Sequence, residues 1–173
     1  MRMLPAATVR CRPLAAGETR SVAALARRVF NASVAPGSSI AGRRAFLAYA
    51  RPVRIRERLE RRHRVLVAEM ESRLAGMIEV RDGTHIAMLF VESGAQRRGV
   101  ARALIAAAFA GKRTGGRAGT ARGAITVNAT PGSVAAYLRL GFRVVGAERD
   151  SDGLPVVPMA CPRSGLLLPA PTR

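Results

Sequence analysis

The sequence predicts an α/β (α+β) fold in which antiparallel strands occupy the middle of the chain and helices flank them. Three observations carry that reading. Val65 to Ala68 and Met77 to Val80 are short apolar runs split by a polar turn around Glu71 to Arg73, the pattern of a meander. Val100 to Phe109 is an unbroken run of alanine, leucine and isoleucine, long enough for a largely buried helix. Strand-like and helix-like periodicities alternate on both sides of this centre.

Thr8 to Leu14 alternates apolar and basic residues as a strand does, and after Gly17-Glu18 the helical spacing Val22, Leu25, Ala26, Val29, Phe30 begins. The small, polar stretch from Asn31 to Gly42 contains Pro36-Gly37 and marks a break. A second helical stretch runs from about Ile40 through Phe46, Leu47 and Tyr49, and Pro52 interrupts or kinks it. The arginine-dense run from Arg51 to Arg64 reads as a helix with solvated charges or as the edge of a substrate groove.

Beyond the two central strands, Arg81 to Thr84 is a tight connection, because Asp82-Gly83 is a favoured hairpin pair, and it leads into a strand from His85 to Glu92. Ser93 to Gly99 then opens the apolar helix. Gly111 to Gly123 is a flexible Gly/Arg loop by composition. Ile125 to Asn128 is a strand, and Thr130-Pro131 starts a helix that continues from Ala135 to Leu140 until Gly141 stops it. Phe142 to Gly146 and Val156 to Cys161 close as strands around the turn-rich Asp150 to Pro155.

A chain of 173 residues, about half of them apolar, supports one core, so residues 1–162 are expected to form one domain followed by a loosely ordered tail, 163–173. The net charge of +18 implies attraction to phosphate-bearing or acidic molecules and says nothing of fold. Lys112 is the only lysine, and the richness in alanine, arginine, glycine and proline also fits a GC-rich genome. Cys11 and Cys161 stand at opposite ends of the chain and make neither a disulfide framework nor a metal cluster, so buried thiols and no metal are expected. No apolar stretch reaches signal-peptide or membrane-span length, which points to a soluble, cytoplasmic protein with no membrane partner.

The chemistry sits at Gln96-Arg97-Arg98-Gly99-Val100-Ala101, between a strand and an apolar helix. A diphosphate needs converging N–H donors, and a helix N-terminus supplies them together with the positive end of its macrodipole. Gly99 lets backbone approach, and Arg97, Arg98 and Arg102 can pair with phosphate oxygens.

In this context LFVESGAQRRGVARALI, residues 89–105, resembles motif A of the GCN5-related N-acetyltransferases (GNAT). VNATPGSVAAYLRLGF, residues 127–142, resembles the family's second hallmark, a strand followed by a helix ending Tyr-x-x-x-Gly-Phe. The resemblance is firm from about Val65 to Phe142. It implies a mixed, mostly antiparallel sheet of six to seven strands, splayed between the fourth and fifth, with about four flanking helices. It implies acetyl-CoA as cosubstrate, its pantetheine arm paired with backbone at Leu89, Phe90 and Val91. Its pyrophosphate would lie on Gln96, Arg97, Arg98, Gly99, Val100 and Ala101, with Arg102 just behind. The family pattern's last glycine is alanine here, at Ala101. Asn128 would meet the cofactor arm, with help from Ser133.

Acetyl transfer to an amine needs a proton acceptor, oxyanion stabilisation and a proton for the thiolate. By the resemblance, Tyr137 sits where the family places the tyrosine that donates to sulfur, and its alternative is a core tyrosine. Backbone N–H near Val91 is expected to stabilise the oxyanion. For the base, His85 holds the position from which some family members aim a glutamate, with Glu79 orienting or replacing it and ordered water as the remaining option. The acceptor is a small-molecule or protein amine, and a homodimer accords with the family.

A cationic protein repels a polyamine unless Glu69, Glu71, Glu79 and Glu92 form an acidic groove. Two readings from other classes are a non-catalytic CoA-binding module and an arginine-rich nucleic-acid binder.

Overall fold

The computed structural model describes residues 8–110 and 123–166. The expected Gly/Arg loop falls almost wholly outside them, as does most of the tail. The chain runs β1 (Val9–Pro13), α1 (Thr19–Ser33), α2 (Ile40–Tyr49), α3 (Pro52–Leu59), β2 (His63–Met70), β3 (Arg73–Arg81) and β4 (His85–Val91). It continues with α4 (Val100–Phe109), β5 (Ala124–Ala129), α5 (Val134–Arg139), β6 (Arg143–Val144), β7 (Arg149–Ser151) and β8 (Leu154–Pro162).

Eight strands form one sheet in the order β1-β2-β3-β4-β5-β8-β6, with β7 also paired to β8. Every pairing is antiparallel except that of β4 with β5. Among the described residues, eight strands and five α-helices exceed the expected counts for local reasons. Pro52 does not kink one helix: Arg51 is extended (ψ 141°) and the proline occupies the first turn of a separate α3, where its missing N–H costs nothing. Asp152 (φ 54°) and Gly153 (φ 83°) are both left-handed, which turns the expected loop at 150–155 into the β7–β8 hairpin.

Alternation of side chains along the central strands divides the core between the sheet's two faces. On one face Leu66, Ile78, Val80, Ile86, Ile125 and Val127 pack with Leu104 and Ile105 of α4 and with Tyr137 of α5. On the other, Val65, Val67, Met77 and Met88 pack with α1, α2 and α3. Phe46 of α2 stacks on Phe30 of α1 (3.9 Å between centroids) and meets Phe90 of β4 edge-on (5.5 Å). At its other end α2 is capped by Ser39, whose Oγ also donates to the Gly153 carbonyl (3.0 Å). The helix therefore spans from β4 to the β7–β8 turn. Gly42 permits that crossing, because a Cβ there would collide with the Gly153 carbonyl.

Candidate acetyl-CoA site

Two features of β4 create an opening in the middle of the sheet. Glu79 pairs with Met88 but the next β3 residue, Val80, pairs with Ile86, so Ala87 is an extra residue that bends β4. The parallel ladder to β5 consists of His85 with Thr126 and Ile86 with Val127 and goes no further. From Ala87 to Val91 the β5 side of β4 is an open edge, and the strands splay between the fourth and fifth as expected. Glu92 N donates to Ala75 O (2.9 Å), and antiparallel hydrogen-bonded pairs alternate, so Leu89 and Val91 fall at the positions whose N–H and C=O point away from β3. Those groups face the slot. Phe90, between them, turns its ring to α2 instead.

The cradle caps this edge. Gln96 Nε2 donates to the Val91 carbonyl (3.1 Å), tying the turn to the strand end. Arg97 (φ 60°) and Gly99 (φ 85°) are both left-handed, a backbone that brings successive N–H groups to one side. Gly99 is the N-cap of α4, which has no side-chain cap, and its carbonyl accepts from Ala103 N (2.9 Å). The N–H groups of Val100, Ala101 and Arg102 thus precede the first intrahelical bond and remain free for an anion. Arg98 leans on Glu71 (3.3 Å), whereas Arg97 and Arg102 have no carboxylate partner among the described residues. Gly76 lets α4 come close over β3, since a Cβ there would lie 3.0 Å from both Phe90 O and Val100 Cγ1. Free helical N–H groups, unpaired arginines and an open strand edge in line with them suit a pyrophosphate with a peptide-like arm.

Tyr137 is buried on the α4 face, edge-on to Phe142 (5.2 Å), and burial raises its phenol well above the usual range. No described residue hydrogen-bonds its hydroxyl, yet no buried side-chain polar atom among the described residues lacks a partner. The hydroxyl is therefore not wholly sealed from solvent. His85 lies on the opposite face. Its Nδ1 meets Thr126 Oγ1 at 2.9 Å, and burial, aided by Arg81, pushes the imidazole below its ordinary 6.5.

Glu79 shares the His85 face but not a bond with it. The tight turn sets Arg81, not Glu79, opposite His85, and the bulge at Ala87 puts Glu79 against Met88. Glu79 is wholly buried and accepts from Arg58 Nε (2.6 Å) and Nη2 (3.0 Å) and bonds His63 Nδ1 (2.6 Å). Arg58 also donates to the Tyr49 carbonyl (2.8 Å) and stacks over the Tyr49 ring (3.7 Å). Burial, then the Glu79 charge, raises the Tyr49 phenol. Sequence reading missed Arg58, His63 and Tyr49, because register and a helix-to-sheet contact bring them together. Asn128 is exposed on the same face, and Arg149 Nη2 donates to its Oδ1 (3.3 Å). Ser133 is committed to its own turn, donating to the Thr130 carbonyl (2.9 Å).

The four glutamates that could have formed an acidic patch are each paired among the described residues. Glu69 is held by Arg12, Glu71 by Arg98, Glu79 by Arg58 and His63, and Glu92 by Arg28. Among the described residues no cluster of His, Cys, Asp and Glu could hold a metal ion, and both cysteines are free, Cys161 buried and Cys11 half-buried.

A splayed sheet with an anion cradle at one end of the slot is the architecture of a coenzyme A-dependent acyltransferase. The family model described as acetyltransferase (GNAT) domain matches residues 31–162, and the chain belongs to that family. Solved structures share the fold. A GCN5-related N-acetyltransferase from Rhodopseudomonas palustris superposes with TM-score 0.72 at 19% identity, over 93% of this chain and 99% of its own. The PaiA N-acetyltransferase of Thermoplasma acidophilum, in complex with coenzyme A, gives 0.68 at 16% identity, over 90% and 99%. The spermidine N-acetyltransferase of Vibrio cholerae, in complex with CoA and spermine, gives 0.56 at 20%, over 91% and 96%. No curated protein sequence matches. No described helix is long and apolar enough to cross a membrane.

Proposed function

We propose that this chain transfers an acetyl group from acetyl-CoA to a primary amine of a small molecule or protein, by direct attack of the amine on the thioester. One observation carries the reading: the β4–β5 slot has a phosphate-type donor set at its end and proton-handling side chains on opposite faces, Tyr137 on one and His85 on the other. When bound, acetyl-CoA supplies an activated acyl group.

The chain's own residues do the rest. Val100, Ala101 and Arg102 N–H groups, with Arg97, Arg98 and Arg102 side chains, fix the diphosphate end. Leu89 and Val91 backbone groups align the arm, and their N–H groups stabilise negative charge on an oxygen in the slot. In the tautomer that donates Nδ1–H to Thr126 Oγ1, His85 Nε2 carries the lone pair that accepts the ammonium proton, and its depressed pKa keeps that lone pair available near neutrality. Tyr137, held protonated by burial, donates to the departing sulfur. Glu79 acts as a positioning residue that locks the α2–α3 elbow over this face. Incubation with acetyl-CoA and a panel of primary amines, read by mass spectrometry, should give acetylated product and free CoA. Acetyl-CoA binding with no product from any amine would leave only a CoA-binding module.

A further inference from the structure

Arg149 is the charged side chain at the splayed end of β5, and its setting is cationic for structural reasons. In the β7–β8 hairpin Arg149 pairs with Val156 and Ser151 with Leu154, and Leu154 packs into the α1–α3 cluster. Alternation along β5 and β8 puts Thr126, Asn128 and Pro158 on this same face, together with His85. Asp150, one residue along, faces the other way, and its Oδ1 accepts from Gly153 N (2.8 Å). Glu69 and Glu79 of the central strands, Glu71 in the β2–β3 turn and Glu92 just after β4 are each paired with an arginine. Glu60, Glu148 and Asp152 are exposed and lie outside the strands that border the slot.

Arg149 spends one long bond on Asn128 and keeps most of a five-donor guanidinium for something else. Asn128 gives that bond its carbonyl oxygen and keeps both amide N–H donors. Guanidinium and amide side by side, on the face from which the amine would approach His85, are suited to an oxyanion. A polyamine would instead meet an unpaired cation with no free carboxylate on the slot strands.

Resting on the acetyltransferase reading, we infer that the acceptor is an amine that also carries an anionic oxygen group, carboxylate or phosphate, and that Arg149 with Asn128 recognises that group. The test compares kcat/KM for four primary amines at low salt: ethanolamine, β-alanine, O-phosphoethanolamine and spermidine. At least one anionic amine should exceed ethanolamine by about tenfold, the scale of one charge-assisted contact, and spermidine should be poorest. The β-alanine and O-phosphoethanolamine arms separate carboxylate from phosphate. Within each variant the ratio of anionic amine to spermidine should be kept by Arg149→Lys and reversed by Arg149→Glu. Raising the salt should shrink the wild-type ratio. Spermidine or ethanolamine as the best acceptor, or a ratio untouched by Arg149→Glu, overturns the inference while acetyl transfer stands. Acetylation of none of the four overturns this inference, while the acetyltransferase reading is decided separately by the wider amine panel.

Discussion

Arg58 holds Glu79 by two bonds, Nε to Oε1 at 2.6 Å and Nη2 to Oε2 at 3.0 Å, on a carboxylate with no solvent exposure. This joins α3 to the middle of the sheet, and the same guanidinium carries Tyr49 at the end of α2. Removing one partner strands the other charge in a site built for a pair. Arg58→Ala is expected to destabilise the fold by about 3–5 kcal/mol, and Arg58→Met with Glu79→Leu by clearly less. Urea midpoints of the single and double variants decide it. An Arg58→Ala midpoint equal to wild type would mean that the pair holds nothing.

Tyr137 has a hydroxyl with no partner among the described residues and a ring packed on Phe142, so Tyr137→Phe removes a proton donor while keeping the packing. Single-turnover rates should drop by about a hundredfold, the low end of what a positioned acid contributes, with acetyl-CoA affinity nearly intact. An unchanged rate would return Tyr137 to the status of a core tyrosine.

Much of this site was legible because it rests on local backbone chemistry. The glycine that starts α4 and the helix from 100 to 109 stand where the sequence places them, as does the Asp82-Gly83 turn, with φ of 52° and 70°. The Asp-Gly pair at 152 and 153 was read only within a turn-rich stretch, and the short strand β7 that presents Arg149 was not read. Long-range register was not legible. Glu79 and His85 flank one tight turn, which suggests partnership, yet the turn's register sets Arg81 opposite His85 and leaves Glu79 against Met88. His63, sixteen residues before Glu79, takes the imidazole role because β2 brings it alongside. Nothing in the arginine-dense run itself announces Arg58 as the one turned inward; its bonds to Glu79 on β3 and to the Tyr49 carbonyl single it out.

Gly99 stands at φ 85° with nothing within 4 Å of an added Cβ, so its constraint is conformational rather than steric. Gly99→Ala must hold a left-handed alanine, at a cost of about 1–2 kcal/mol, or tilt the free N–H groups of α4. CoA binding by calorimetry should weaken by about tenfold. Gly94→Ala, also in open space but without positive φ, serves as the control and should bind as wild type does. Equal affinities for the two variants would detach the cradle from CoA.

Proton acceptance by His85 predicts both the sign and the place of a pH effect. Burial first, then Arg81, sets the folded pKa below 6.5, so folding and catalysis both favour the neutral ring. Its contribution to stability is fully present above 6.5 and is lost as the pH falls through the folded value, where the unfolded chain binds the proton more readily. Activity follows the same direction. The acid limb of kcat/KM should have its midpoint below 6.5, and it should coincide with the ring titration followed by NMR. His85→Gln should abolish that limb and lower the plateau. A limb that persists in His85→Gln, or that is centred above 6.5 in the wild type, would assign the proton to another group.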